Sequence, residues 1–187
     1  MPERGAHRTM RAVSEPNPSR VLRGDAIVAD PLVRELLAAR LVGVLATLQP
    51  DGSVHAVPMW LSGEGGEIVL ASGSTSRKAR NVERDPRATL VLHDSRAGCE
   101  ICGASLRGRV QIVQGAEAAA LVERVHRRYV AAEGLALPEV AAFLGGDDVA
   151  FRFHPETAVT WDERRSDAAG ALRSTGFALP LVPTTSS

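Results

Sequence analysis

A chain of 187 residues with 44% hydrophobic side chains has the material for one domain with a substantial core. Its 22 Lys and Arg balance 22 Asp and Glu, which argues against a general nucleic-acid binder, whose affinity rests on surplus positive charge. No apolar run reaches the roughly 18 residues that span a bilayer, and the opening MPERGAHRTMR lacks the apolar stretch of a secretory signal, so a cytoplasmic protein with no membrane partner is expected.

Residues 1–24 mix Arg, Pro, Ser and Glu without apolar periodicity and read as a mobile leader. From Asp30 the pattern changes. Asp30 can cap a helix with Pro31 at its first position and Leu32, Val33, Leu36 and Leu37 along one apolar face. VGVLATL (42–48) is short and apolar, as a buried strand requires; QPDG (49–52) is a turn, and SVHAVPMWL (53–61) returns as the hairpin partner. Pro58 has no N–H for a ladder, so this strand is expected to be interrupted, bulged or at a sheet edge there. SGEGGE (62–67) turns the chain and EIVLAS (67–72) runs back. Those glycines lie between two strands, not between a strand and a helix, which excludes a dinucleotide-binding turn.

STSRKARNVERDPR (74–87) comes next, with Arg77, Lys78, Arg80, Arg84 and Arg87 behind three hydroxyl residues. Ser74, Thr75 or Ser76 can cap a helix to about Asp85, which Pro86 stops. A helix N-terminus offers unpaired N–H groups and partial positive charge, so hydroxyls and a lysine in its first turn can hold an anion. The stretch alone fits a capped, solvated basic helix better. ATLVLH (88–93) is a further strand, and EICGASLRGRVQIV (100–113) a long one with a bend at Gly108. AEAAALVERVHRRYVAA (116–132) is a helix with Leu121, Val122, Val125 and Tyr129 on one face. A short helix at 138–145 precedes VAFRFHPETAVTW (149–161), a strand broken at its proline, and residues 162–187 read as an extended tail. Short sequential strands with few helices favour a small barrel, a mainly β architecture with flanking helices (α+β).

Cys99 and Cys102 have C-x-x-C spacing, but no second ligand pair accompanies them, and on a strand they face opposite sides. Two free thiols, with no metal site, are the expectation.

The order LVGVLATLQPDGSVHAVPMWL, EIVLAS, STSRKARNVERDPRATLVL, with RGRVQIV and FRFHPETAVTW beyond it, resembles the flavin and deazaflavin split-barrel superfamily of pyridoxamine 5′-phosphate oxidases and coenzyme F-420-dependent oxidoreductases. The resemblance implies a split barrel over residues 25–161. It also implies a homodimer with cofactor sites at the subunit interface and an oxidoreductase acting on a small molecule. Carried across, Ser74, Ser76, Arg77 and Lys78 would bind the cofactor phosphate, with Ser72 and Asn81 in support. Val57, Pro58 and Met59 would lie against the ring, with Trp60 nearby. Trp161 would either reach the partner's site or serve as core. No catalytic side chain is implied, because hydride chemistry belongs to the cofactor. The R-K-x-R-N block with P-x-W favours F-420, whose anionic tail Arg77 and Arg80 could meet. FMN is the alternative, as is a non-catalytic flavin, deazaflavin or haem-binding barrel. The C-terminal text lacks a basic site for pyridoxamine phosphate.

Overall fold

The hairpin between Gly43–Leu48 (β2) and Val54–Met59 (β3) sets the architecture. β2 pairs antiparallel with β3 from Gly43↔Met59 to Leu48↔Val54, across a turn in which Gly52 takes a positive φ of 82°. A computed structural model describes residues 19–95 and 100–178. Its further elements in chain order begin with Arg20–Arg23 (β1), Ala26–Ala29 (α1) and Pro31–Ala38 (α2) before the hairpin. Leu61–Ser62 (β4), Ile68–Gly73 (β5), Arg77–Arg84 (α3), Arg87–Ser95 (β6) and Ile101–Val113 (β7) follow it. The chain closes with Gly115–Tyr129 (α4), Ala132–Leu135 (α5), Pro138–Leu144 (α6), Asp148–Asp162 (β8) and Asp167–Thr175 (α7).

The strands form one antiparallel sheet in the order β3-β2-β6-β7-β8-β5-β4. Its two ends, β3 and β4, are separated in sequence by Trp60 alone. Seven flat strands spaced about 4.8 Å apart would hold those edges nearly 30 Å from each other. A single residue cannot span that, so the sheet must roll. The rolled interior is filled by Leu45, Leu61, Leu70, Leu90, Leu92, Leu106, Phe151 and Phe153 together with the apolar face of α2. Asp30 caps α2, accepting hydrogen bonds from the N–H groups of Leu32 (3.0 Å) and Val33 (3.2 Å), with Pro31 in the first turn.

α4 lies outside the barrel. Val122 and Val125 pack on Val69, Val113 and Ala150, and Glu67 clamps the layer through Arg124 (2.7 Å) and Arg152 (2.5 Å). Other described residues of the outer face stay exposed or half-buried. The register sets Val44 beside Pro58 and Val91, and Ala46 beside Ala56, and none of these residues is buried. Val54 and Val21 on the same face are each 63% exposed. Trp161 also lies on this side, half-buried, with its ring against Gly103, where an added Cβ would meet it at 2.4 Å.

Several sequence expectations are revised. Residues 20–23, read as part of a mobile leader, pair with β8 from Arg20↔Thr160 to Arg23↔Thr157, and Arg20 bridges to the buried Asp30 at 2.7 Å. The partner edge is supplied from the far end of the chain, so no local pattern reveals it. Residues 167–175, read as extended, are helical, capped by Ser166 and ended by Gly176 at φ 69°. The strand expected to break at Pro155 continues through Asp148–Asp162 as a bulge. Gly108 faces Pro155 across that bulge, and an added Cβ would come within 2.0 Å of the His154 carbonyl oxygen. The bulge also divides the neighbours of β8: β5 before it and β1 after it. A proline without an N–H fits where partners change. Pro58 sits on β3, at an end of the sheet order, where no second ladder needs its N–H.

Candidate functional site

β5 delivers the chain into α3 through Gly73, and the connection carries the hydroxyls singled out from sequence. Ser76 is the N-cap of α3: its Oγ accepts from the Ala79 N–H at 3.2 Å. Ser72, 4% exposed, places its Oγ 3.0 Å from that of Ser76. Ser74 turns the other way, donating to the Asp147 carboxylate at 2.6 Å while its N–H bonds the Asp147 carbonyl at 2.8 Å.

Lys78, in the first turn of α3, enters a cleft of about 390 Å³ that is also lined by Pro58, Met59, Trp60 and Ser72. Five of the ten residues selected from sequence therefore share one cavity, and Ser76 adjoins it through Ser72. Burial pushes the Lys78 ammonium below its ordinary value, and the charge of Asp148 opposes that shift. Among the described residues Lys78 has no ion pair within 4 Å and no hydrogen bond. A desolvated cation without a paired anion is a place where an anionic ligand gains most.

The other four selected residues stand elsewhere. Arg77 reaches the hairpin turn, donating to Gln49 Oε1 at 3.2 Å. Asn81 is 2% exposed and donates to Thr47 Oγ1 at 3.0 Å, which ties α3 to β2. Val57 packs against the barrel core. With Ser74 held by Asp147, these side chains do not line the cleft.

Residues passed over in the sequence complete the site. His126, Phe143, Leu144 and Asp148 line the same cleft. His126 projects from α4 with its ring edge-on to Trp60, centroids 6.2 Å apart and planes at 79°. It is 9% exposed, and burial lowers its pKa below the ordinary value, with Asp148 acting in the opposite direction. A polar residue between Val122, Val125 and Tyr129 on the apolar face of a helix was its one signal in the sequence. Trp60 in turn stacks on Tyr129. Cys102 is buried and free, its Sγ 3.2 Å from the Asp94 carbonyl oxygen; Cys99 lies outside the described residues. No group of His, Cys, Asp or Glu able to hold a metal occurs among the described residues. No helix among them is long and apolar enough to cross a membrane.

The cleft brings apolar and aromatic side chains (Pro58, Met59, Trp60) together with a cation and a hydroxyl (Lys78, Ser72). The model of the family described as pyridoxamine 5′-phosphate oxidase matches residues 29–162. Among solved structures, a conserved hypothetical protein of Mycobacterium tuberculosis is 28% identical with a TM-score of 0.59, covering 89% of this chain and 95% of that one. An F-420 reductase is 26% identical with a TM-score of 0.55, covering 67% of this chain and 94% of that one. A haem-binding protein of Mycobacterium smegmatis, 24% identical with a TM-score of 0.55 over 78% of this chain and 58% of that one, shares the fold. No curated protein matches the chain.

Proposed function

Since the chain belongs to the pyridoxamine 5′-phosphate oxidase family, we propose that it is a cytoplasmic oxidoreductase that uses reduced coenzyme F-420 to reduce a small molecule. The observation that carries this reading is the unpaired, desolvated Lys78 ammonium in one cleft with Trp60, Met59 and Pro58. Lys78, Ser72 and Ser76 would hold the cofactor phosphate, aided by the N-terminal N–H groups of α3. Pro58, Met59 and the Trp60 backbone would lie along the ring, and Val57 and Asn81 would support the strand and helix that carry those contacts. Ser74 would steady the loop beside the phosphate. When bound, F-420 supplies the hydride; the chain binds it, orients it and excludes water.

Two features favour F-420 over FMN. Arg77 and Arg80 are exposed on α3, the helix that carries Lys78, and bond the neutral acceptors Gln49 Oε1 (3.2 Å) and the Thr75 carbonyl (2.5 Å), so both would be free to turn to an anionic tail. An F-420 reductase stands among the similar structures. FMN is the second reading, because the same phosphate site serves both. A free Cys102 accords with a reducing compartment.

The exposed and half-buried apolar residues on the described outer face of the sheet would suit a second copy of this chain, with two cofactor sites at the subunit interface and Trp161 beside the partner. Exposed apolar side chains grouped on one sheet face mark an interaction surface, and a two-fold pair is the commonest way to cover one.

Parallel titrations of the protein with F-420, FMN and haem test the cofactor. Tight binding of F-420 alone supports the reading; tight binding of FMN alone moves the protein to the flavin branch; haem alone makes it a binding protein. Light scattering of Ala56→Arg tests the dimer: wild type is expected at twice the chain mass and the variant at the chain mass.

A further inference from the structure

Two cavities meet at one histidine. The cleft above Trp60 and Lys78 and a second cavity of about 370 Å³ share His126, Leu144 and Asp148. Val122 and Ala119 of α4 and Leu135 of α5 wall the second cavity. Its size falls in the range of small-molecule sites, roughly 300–1,000 Å³. Glu123 and Arg127 also line it, but they pair with each other at 2.6 Å. Asp148 is the remaining charge, and it repels anions. The lining therefore suits an uncharged, mostly apolar molecule.

His126 is nine-tenths buried, yet its ring nitrogens make no hydrogen bond among the described residues. Neither nitrogen is sealed in protein, since the buried, unpartnered side-chain nitrogens are Arg124 Nε and Arg128 Nε. At least part of the polar edge of the ring is therefore accessible from the space the ring lines. A histidine sealed in the core would need a protein or ordered-water partner for its N–H. Here the edge contact with Trp60 fixes the ring while its polar atoms stay open to a ligand. A neutral imidazole offers one N–H donor, suited to a carbonyl oxygen.

We propose that the second cavity binds the hydride acceptor, an uncharged carbonyl compound, and that His126 is the positioning residue whose N–H holds its oxygen. That the bound molecule is a hydride acceptor rests on the cofactor reading above; that the cavity binds it through His126 does not. Leu144 and Asp148, shared with the cleft over Trp60, adjoin that position.

The test is a titration of ¹⁵N-labelled protein with 2-cyclohexen-1-one, read on the backbone amides of Val122 and Leu135. Wild type is compared with His126→Gln, which keeps an N–H donor, His126→Leu, which removes it, and Ala119→Phe, which fills the cavity from an exposed position outside the cofactor cleft. Wild type is expected to saturate, His126→Gln to weaken by less than about threefold and His126→Leu by about tenfold. Ala119→Phe is expected to abolish the shifts while cofactor titration is unchanged. Unsaturable wild-type shifts, wild-type affinity in His126→Leu, or equal losses in the Gln and Leu variants at unchanged Tm each overturn the assignment. The probe is added without cofactor, so the two readings fail separately. Cyclohexenone binding without F-420 or FMN binding removes the cofactor reading and leaves the pocket; the reverse removes the pocket alone.

Discussion

Trp60 stacks on Tyr129 with ring centroids 4.8 Å apart and planes 5° from parallel. The Tyr129 hydroxyl also donates to the Leu41 carbonyl and accepts from the Leu61 N–H at 3.2 Å. One side chain of α4 thereby holds the single-residue joint between the two ends of the sheet, and the same joint forms a wall of the cleft. Tyr129→Phe keeps the stack and loses both hydrogen bonds, so a destabilisation of about 1–2 kcal/mol is expected in urea denaturation. Wild-type stability in the variant would mean that the joint holds without them.

Lys78→Met is expected to act in opposite directions on the empty protein and on binding. The ammonium is desolvated and has no ion pair within 4 Å among the described residues, so an apolar side chain of similar length should leave Tm unchanged or raised. Loss of a charge-assisted contact should weaken F-420 binding by about 1.5–3 kcal/mol. Undiminished affinity would overturn the proposed phosphate contact of Lys78.

Two glycine substitutions separate close approach from mere conformational freedom. Gly108→Ala would drive a Cβ to 2.0 Å from the His154 carbonyl oxygen, and backbone on both strands would have to move; a loss of about 3 kcal/mol or more is expected. Gly170, inside α7, has open space around its Cα. Gly170→Ala should stabilise by about 0.4–1 kcal/mol. Both are read from denaturant midpoints, and a tolerated Gly108→Ala would contradict the bulge geometry.

Stability should fall as the solution is acidified through the pH range where His126 titrates. Burial holds its folded pKa below the ordinary 6.5, so between those two values the unfolded chain binds more protons than the folded one. Stability therefore rises with pH across that window and is flat, as far as this group is concerned, on either side. Asp148 faces the ring and narrows the window. The slope of urea midpoint against pH should shrink in His126→Gln; an unchanged slope would assign the protons to another group.

Local chemistry in the sequence determined most of the elements and the start of α3 around Lys78. The Asp30–Pro31 start of α2, the QPDG turn and the Ser76 cap before Lys78 all depend on groups within four residues of one another, so a short window contains the whole interaction. The tertiary structure decided what those elements face. It paired Arg20–Arg23 with β8, turned Val57 toward the core, engaged Asn81 with Thr47 and brought His126 of α4 beside Trp60 and Lys78. Such relations depend on which edges and faces stay open once the sheet has rolled around its core. That is a property of contacts between residues far apart in the chain, and no local pattern carries it.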